Sequence, residues 1–155
     1  MNELLKNIYY LYNNPFVFGK VIHTFFKSLD KKENGQLLSY LVLPLVLYPS
    51  SQQYLTQRKD SRSSLRILAK DNKRIYGLQD RISEFKQVTD ITLQYGIDIG
   101  TLKIGDDLSI KVLRDWPESL NFSSKEVLTA TKRLGEFMSK NDIVTNYQIL
   151  GVRDL

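Results

Sequence analysis

An uninterrupted apolar run, LVLPLVLY at residues 41–48, dominates the sequence. It is far shorter than the roughly 20 residues that a helix needs to cross a bilayer. It is also too apolar for a surface element, so we expect it to lie inside a globular core. Pro44 removes a backbone donor within the run and disfavours helical angles at Leu43. We therefore predict a buried helix over residues 36–43 that kinks or ends at Pro44.

Amphipathic helices are predicted on both sides of this run. Asn14-Pro15 is typical of a helix start, because an asparagine side chain can cap the first turn and proline needs no donor there. Apolar residues at three- and four-residue steps then continue to about Leu29. The same reasoning predicts three more helices: residues 51–57, a helix capped by Ser61 or Ser63 that ends near Lys70, and residues 77–95.

The periodicity changes after Gly96. Apolar residues alternate over 101–104 and 108–112 around the turn Gly105-Asp106-Asp107, which predicts a β-hairpin. A helix opening with a capping box from Ser123 to Glu126, and a short last helix within 142–149 that Gly151 stops, are expected to follow. The predicted fold class is mainly α with a small β-hairpin (α+β), a helical bundle with a winged-helix-like C-terminal half.

The length and composition favour one domain. A chain of 155 residues and 18.0 kDa forms one core of ordinary size. The 42% hydrophobic and 25% charged residues are typical of globular proteins. We expect a single domain over 1–155, with an apolar N-terminal segment (1–13), a helical part (14–95), and a hairpin wing with C-terminal helices (96–155).

The residue inventory excludes several classes of enzyme. There is no cysteine, so no disulfide, thiol nucleophile or cysteine-ligated zinc can form. The single histidine, His23, is typical of a packed or surface residue rather than a ligand or base. The Asp106-Asp107 pair fits a hydrated turn, and no phosphate-binding glycine loop, nucleophile elbow or HExxH motif occurs. We therefore expect a protein that is not an enzyme and uses no cofactor and no metal.

The formal net charge of +5 is concentrated in one segment, residues 58–74. Seven basic residues stand there against Asp60 and Asp71, while the rest of the chain is neutral. The basic residues are Arg58, Lys59, Arg62, Arg66, Lys70, Lys73 and Arg74. On a helix, the four-residue steps from Arg62 to Arg66 and Lys70 would align in one stripe, opposite inward-facing leucines.

Two interpretations of this stripe stay open. It is either a solvated face that keeps the protein soluble, or a docking stripe for phosphate oxygens or an acidic partner surface. No aromatic residue interleaves with the cations before Tyr76, so stacking of single-stranded bases is not indicated. On the predicted wing, Lys103, Lys111 and Arg114 could reach a phosphate, but a structural hairpin that packs against a protein is favoured.

The N-terminal segment is the second candidate surface. Its apolar residues Ile8, Tyr9, Tyr10, Leu11 and Tyr12 are too apolar for a free tail, so they are expected to fold back on the core or to bind another chain. Residues 1–14 include Glu3 and lack the apolar stretch followed by small residues of a signal peptide. We expect a cytoplasmic protein.

Five segments occur along the chain in a recognisable order: Asn14-Pro15 opening an apolar helix, the run at 41–47, the helix into Tyr95-Gly96 with a hairpin after it, RLGEF at 133–137, and LGVR at 150–153. Together they resemble the middle component of bacterial three-component ABC-type defence systems, the group that includes Lamassu-like antiphage systems. That family often has tryptophan after the Leu-Gly pair, where this chain has Phe137, a difference of packing rather than chemistry.

The resemblance implies a small accessory subunit without active-site residues. Such a subunit assembles with an ATPase of the structural-maintenance-of-chromosomes (SMC) type and with an effector, commonly a nuclease, and joins the two. DNA backbone contact within the complex is compatible with the basic segment, and no membrane partner is expected. The alternative is a free-standing winged-helix DNA-binding protein. In that case the isolated chain should bind a DNA duplex through Arg62, Arg66 and Lys70.

Overall fold

Helices form most of the structure, a computed structural model that describes Glu3, residues 14–57 and residues 60–155. The helices of the described ranges are α1 (Pro15–Ser28), α2 (Ser39–Val46), α3 (Pro49–Thr56), α4 (Leu65–Lys70), α5 (Asn72–Ile75), α6 (Leu78–Asp98), α7 (Lys125–Ser139) and α8 (Ile143–Ile149). Strands β1 (Leu102–Ile104) and β2 (Ile110–Val112) form an antiparallel hairpin, and single-turn 3₁₀ helices lie at Gly35–Leu38 and Glu118–Leu120. The predicted mainly α fold with a small β-hairpin is confirmed.

Helix α2 forms the centre of the core. All eight of its residues are buried, and it packs against α1, α3, α6 and α7. The predicted bounds of 36–43 are wrong at both ends: the α-helix begins at Ser39, after a 3₁₀ turn, and it does not end at Pro44 but continues to Val46. Of the helices in the described ranges, none combines the length and the apolar character that crossing a bilayer requires.

Side chains from other helices satisfy the last carbonyls of α2, which have no partner within the helix. The Ser51 hydroxyl donates to the Leu45 oxygen at 2.5 Å, and the Gln52 amide donates to the Val46 oxygen at 2.8 Å. Arg81 Nε on α6 donates to the Pro44 oxygen at 3.1 Å. These bonds let a wholly buried helix end inside the protein without unpaired carbonyl groups.

Helix α1 begins as its sequence predicts. Asn14 Oδ1 accepts a hydrogen bond from the Phe16 amide at 3.0 Å, and Pro15 occupies the first helical position. The helix ends at Ser28, one residue before the predicted end, because Leu29 has extended backbone angles. Its inner face is buried against α6 and α7.

Helices α1 and α7 run in the same direction and approach closely near their C-terminal ends. A Cβ atom on Gly135 would lie 2.8 Å from Ser28 Cβ, so a larger residue would separate the helices. Lys32, just after α1, donates from Nζ to the oxygens of Met138, Ser139 and Asn141 at 3.0, 3.3 and 2.7 Å. The lysine thus binds the negative end of the α7 dipole.

The hairpin packs against the helices rather than projecting freely. Strand β2 contacts α1, and β1 contacts α6. Its turn is held by the 3₁₀ region, because the Asn34 and Gln36 amides donate to the Asp107 and Leu108 oxygens at 2.8 and 3.0 Å. The winged-helix arrangement of the C-terminal half stays a prediction.

Trp116 anchors the connection between the hairpin and α7. Its ring is 3% exposed and covers Gly19 of α1, where an added Cβ would lie 2.2 Å from Trp116 Cζ2. The indole nitrogen donates to the Leu120 oxygen at 3.0 Å. A glycine on α1 is therefore required for the tryptophan to lie flat against the helix.

Three predicted helix starts shift by a small amount. Ser64 rather than Ser61 or Ser63 caps α4, and Ser124 rather than Ser123 caps α7, so the predicted capping box is wrong. In each case the capping hydroxyl accepts from the amide three residues later at 3.2 Å. Helix α6 starts at Leu78, one residue after the predicted start, because Gly77 is left-handed, and it ends at Asp98, three residues after the predicted end. Helix α8 is followed by a left-handed Gly151, which was predicted to stop it.

Candidate functional site

The basic segment folds as a turn followed by two short helices. Arg62 lies in the turn at 60–63, Arg66 and Lys70 lie on α4, and Lys73 lies on α5. The expectation of one helical stripe from Arg62 to Lys70 is therefore wrong for Arg62, because the helix begins only after Ser64. Arg58 and Lys59 lie outside the described residues.

The two carboxylates of this segment bind backbone amides. Asp60 Oδ1 accepts from the Arg62 and Ser63 amides at 2.8 and 3.0 Å. Asp71 Oδ1 accepts from the Lys73 amide at 3.0 Å and so starts α5. These acidic residues shape the chain rather than pair with the exposed cations.

Four cations of the segment are consequently available to a partner. The side chains of Arg62, Arg66, Lys70 and Lys73 are exposed, and no described carboxylate forms an ion pair with them. On the opposite side of α4, Leu65 and Leu68 are 1% and 0% exposed, as predicted. Because these leucines are buried, the opposite face of α4, which carries the cations, is exposed to solvent.

Arg74 differs from its neighbours. Its guanidinium carbon lies 4.3 Å from the centre of the Tyr54 ring, and Nη1 donates to the Ile67 oxygen at 3.1 Å. Its Nε also lies 3.9 Å from Asp71 Oδ2. Arg74 therefore connects α5 to α3 and α4, and of the predicted site residues it has the clearest structural role.

The hairpin cations do not form a groove. The register places Lys103 directly opposite Lys111 with both side chains exposed, an arrangement of like charges that costs stability. The Arg114 guanidinium donates to the Ile99 oxygen. Asp107 accepts from the Ser109 hydroxyl and amide at 2.6 and 3.0 Å, which lowers the pKa of its carboxyl group and fits the predicted turn.

His23 is a buried packing residue, 1% exposed. Its Nε2 lies 2.9 Å from the Arg114 oxygen and donates a hydrogen bond to it, because a carbonyl oxygen can only accept, while Nδ1 has no partner in the described part of the chain. Burial lowers the pKa of the imidazole, so the ring is neutral near pH 7. Among the residues that the structure describes, no side chain forms a nucleophile–base pair with it.

The N-terminal candidate residues Ile8, Tyr9, Tyr10, Leu11 and Tyr12 lie outside the described residues. The helix that follows them begins with an exposed aromatic residue, Phe16, whose ring is 51% exposed. It contacts the edge of Tyr95 with 4.7 Å between ring centres.

A second cationic site was not predicted from the sequence. A groove of about 730 Å³ between α1 and α7 is lined by four lysines and one carboxylate. Lys20 and Lys27 come from α1, and Lys125, Lys132 and Glu136 come from α7. In each pair the two lysines are seven residues apart, and this spacing places them on the same face of their helix. The sequence gives no sign that the two faces meet.

Lys27 is paired with a carboxylate at the edge of this groove. Its Nζ lies 2.7 Å from Asp115 Oδ1, and the two side chains are 60% and 81% exposed. The pairing lowers the pKa of the Asp115 carboxyl group. Exposed pairs of this kind contribute little to stability, so Asp115 can be displaced.

Within the described ranges, no group of three or more histidine, aspartate or glutamate side chains is placed to hold a metal ion. The family model of middle component 3 of ABC-three component (ABC-3C) systems matches residues 1–154. Comparison with curated proteins gives no match, and comparison with solved structures gives none either.

Proposed function

The chain belongs to the family of middle component 3 of ABC-three component systems, and from this premise we propose that it is a non-catalytic accessory subunit that joins an SMC-like ABC ATPase to an effector nuclease. Membership makes it an accessory subunit of a three-component ABC system. The finer role, in a Lamassu-like antiphage complex of the bacterial cytoplasm, belongs to the proposal.

The observation that carries the proposal is the cationic face of residues 62–73. Its four exposed cations have no carboxylate partner in the described structure, and the nearby acidic residues bind backbone amides instead. Two of the four are arginines, whose forked donors suit carboxylates and phosphates alike. Because family membership supplies partner subunits, we assign this face to an acidic surface of the ATPase.

Co-expression with the other two components, followed by gel filtration, tests the subunit role. The expected result is co-elution of this chain with both components. The triple variant R62E/R66E/K70E should lose the ATPase from the complex, because it places acidic groups against an acidic surface. Elution of the unmodified chain as a lone monomer in every combination would contradict the proposal.

A charge-preserving control separates surface charge from other effects. The double variant R62K/R66K keeps both positive charges and should keep the ATPase bound, with weakening limited to the loss of forked hydrogen bonds. If it behaves like the charge-reversed variant, the interaction is not one of general charge complementarity. Duplex DNA bound by the isolated chain, and lost in R62A/R66A/K70A, would favour the DNA-binding alternative instead.

A further inference from the structure

The groove between α1 and α7 has the features of a peptide-binding site. Two contacts align the helices: the Ser123 hydroxyl lies 3.5 Å from the Val17 oxygen at one end, and Gly135 adjoins Ser28 at the other. This alignment places Lys20 within one helical turn of Lys125 along the groove, and Lys27 within one turn of Lys132, so the lysines form two levels. Each level therefore offers one lysine from either wall.

The distance between the two levels matches the repeat of an extended chain. Seven residues of helix span roughly 10 Å, and three residues of an extended strand span about the same distance. Successive side chains of a strand point to opposite sides, so acidic residues three apart would point toward opposite walls. With a lysine on each wall at both levels, both carboxylates would be met.

The other lining residues of the groove suit a polypeptide more than a DNA duplex. Thr24, Ser28 and Thr129 supply hydroxyl groups there, and Leu128 supplies an apolar contact. The site is a recess between two packed helices, whereas a duplex is a convex rod that needs an open cationic surface. The volume of about 730 Å³ lies within the ordinary range for ligand sites.

The protein itself provides a carboxylate at one of these lysines. Asp115, in the segment after β2, reaches Lys27 at 2.7 Å from outside α1. Its carboxyl group also feels the charge of Lys20, which contributes to its lowered pKa. The α1 wall is therefore already arranged to hold a carboxylate, and Asp115 would compete with an incoming one.

We propose that this groove, in which Lys20, Lys27, Lys125 and Lys132 outnumber the one lining carboxylate, Glu136, docks an extended acidic segment of a partner protein, with Asp115 as an intramolecular competitor. The inference deepens the accessory role proposed above, because it names the chemistry of one partner segment. It is independent of the cationic face at 62–73, which lies on different helices.

Fluorescence anisotropy with a labelled peptide that carries glutamate at every third position, measured at low salt, tests the inference. K125E/K132E should weaken peptide binding about ten-fold, because it reverses the α7 wall. Both lysines are exposed, and Lys125 is the first residue of α7, where glutamate is favourable, so the variant should fold. R62E/R66E, with the same change in charge, should bind the peptide nearly as well as the unmodified chain.

Removing the competing Asp115 carboxylate tests the inference in the opposite direction, because it should tighten peptide binding. D115N should tighten peptide binding about three-fold, because it removes the carboxylate that occupies Lys27. The inference would be overturned if K125E/K132E and R62E/R66E lost peptide binding equally, or if D115N had no effect. It would also be overturned if the unmodified chain bound no peptide, or if it bound a labelled DNA duplex through Lys125 and Lys132 instead. Co-elution of the unmodified chain with the other components is measured in parallel, so the groove can fail while the subunit role stands.

Discussion

Two regions of this molecule use polar and charged groups in opposite ways. Where α1 and the residues just after it pack against their neighbours, polar groups are tied to the fold. Lys32 donates to three carbonyl oxygens at or just after the end of α7, and Trp116 covers Gly19 and donates to the Leu120 oxygen. In residues 60–74, the acidic groups hold the backbone while four cations are exposed without a described carboxylate partner.

This difference separates residues that stabilise the fold from residues that are available to bind a partner. Substitution of Gly19 or Lys32 should lower the free energy of unfolding, because each change disturbs a buried contact or removes a partner of backbone carbonyls. Substitutions of the exposed cations should leave that free energy nearly unchanged and affect assembly instead. The predictions below test this division, beginning with the largest expected effect on stability.

The largest loss is expected for Gly19→Ala. The new methyl group would lie 2.2 Å from Trp116 Cζ2 and 2.4 Å from Cη2, and the 3% exposed ring has no room to move away. We expect a loss of about 2–3 kcal/mol in the free energy of unfolding, measured by chemical denaturation. Gly35→Ala is the matched control, because its nearest contact would be an ordinary 3.7 Å and little change is expected. A stable Gly19→Ala protein would show that the tryptophan contact is not tight.

A smaller loss is expected for Lys32→Met. The variant removes three hydrogen bonds from an ammonium group to the last carbonyls of α7, at a cost of about 1–2 kcal/mol. Its neighbour Lys31 is exposed, and Lys31→Met should change stability by less than about 0.5 kcal/mol. Equal effects of the two substitutions in urea denaturation would mean that the carbonyl contacts are not stabilising.

The pH dependence of stability should reveal the buried histidine. Burial lowers the pKa of His23 in the folded state, so the unfolded chain binds a proton more readily. Stability is therefore complete above the unfolded value of about 6.5 and decreases as the pH falls below it, by at most about 1.4 kcal/mol per pH unit. Between pH 7 and 5, His23→Gln should show a flatter profile, and an unchanged profile would exclude His23 as the cause.

The smallest effect on stability is expected for R62E/R66E/K70E. All three side chains are exposed and have no described ion-pair partner, so the free energy of unfolding should change by less than about 1 kcal/mol. Thermal unfolding followed by circular dichroism provides the measurement. A larger loss would mean that these cations help to hold the fold and are not reserved for a partner.

Local signals predicted much of the fold. Asn14-Pro15, the turn around Gly105 and the stop at Gly151 each depend on neighbouring residues alone, and the structure agrees with each of them. The start of α4 was missed because Asp60 binds the amides at 62 and 63 and so holds a turn, which leaves Ser64 as the cap. The sequence offers three serines there and cannot rank them.

Neither the continuation of α2 beyond Pro44 nor the lysine groove could be predicted without the tertiary structure. Helix α2 continues because Ser51, Gln52 and Arg81, each on another helix, supply donors to its final carbonyl groups. The groove arises because α1 and α7, about a hundred residues apart in the chain, pack side by side. The basic segment was visible in the sequence because its cations are contiguous, whereas the groove divides its cations between two distant helices.

A paired measurement on two variants tests most directly whether residues that stabilise the fold are distinct from residues that bind the partner. Gly19→Ala and R62E/R66E/K70E are each co-expressed with the ATPase and effector, and the melting temperature of the isolated variant and the amount recovered on tagged ATPase are determined. We predict a normal melting temperature with loss of recovery for the charge-reversed variant. For Gly19→Ala we predict a lowered melting temperature, with the folded fraction still recovered. Full recovery of the charge-reversed variant on the ATPase would contradict the account.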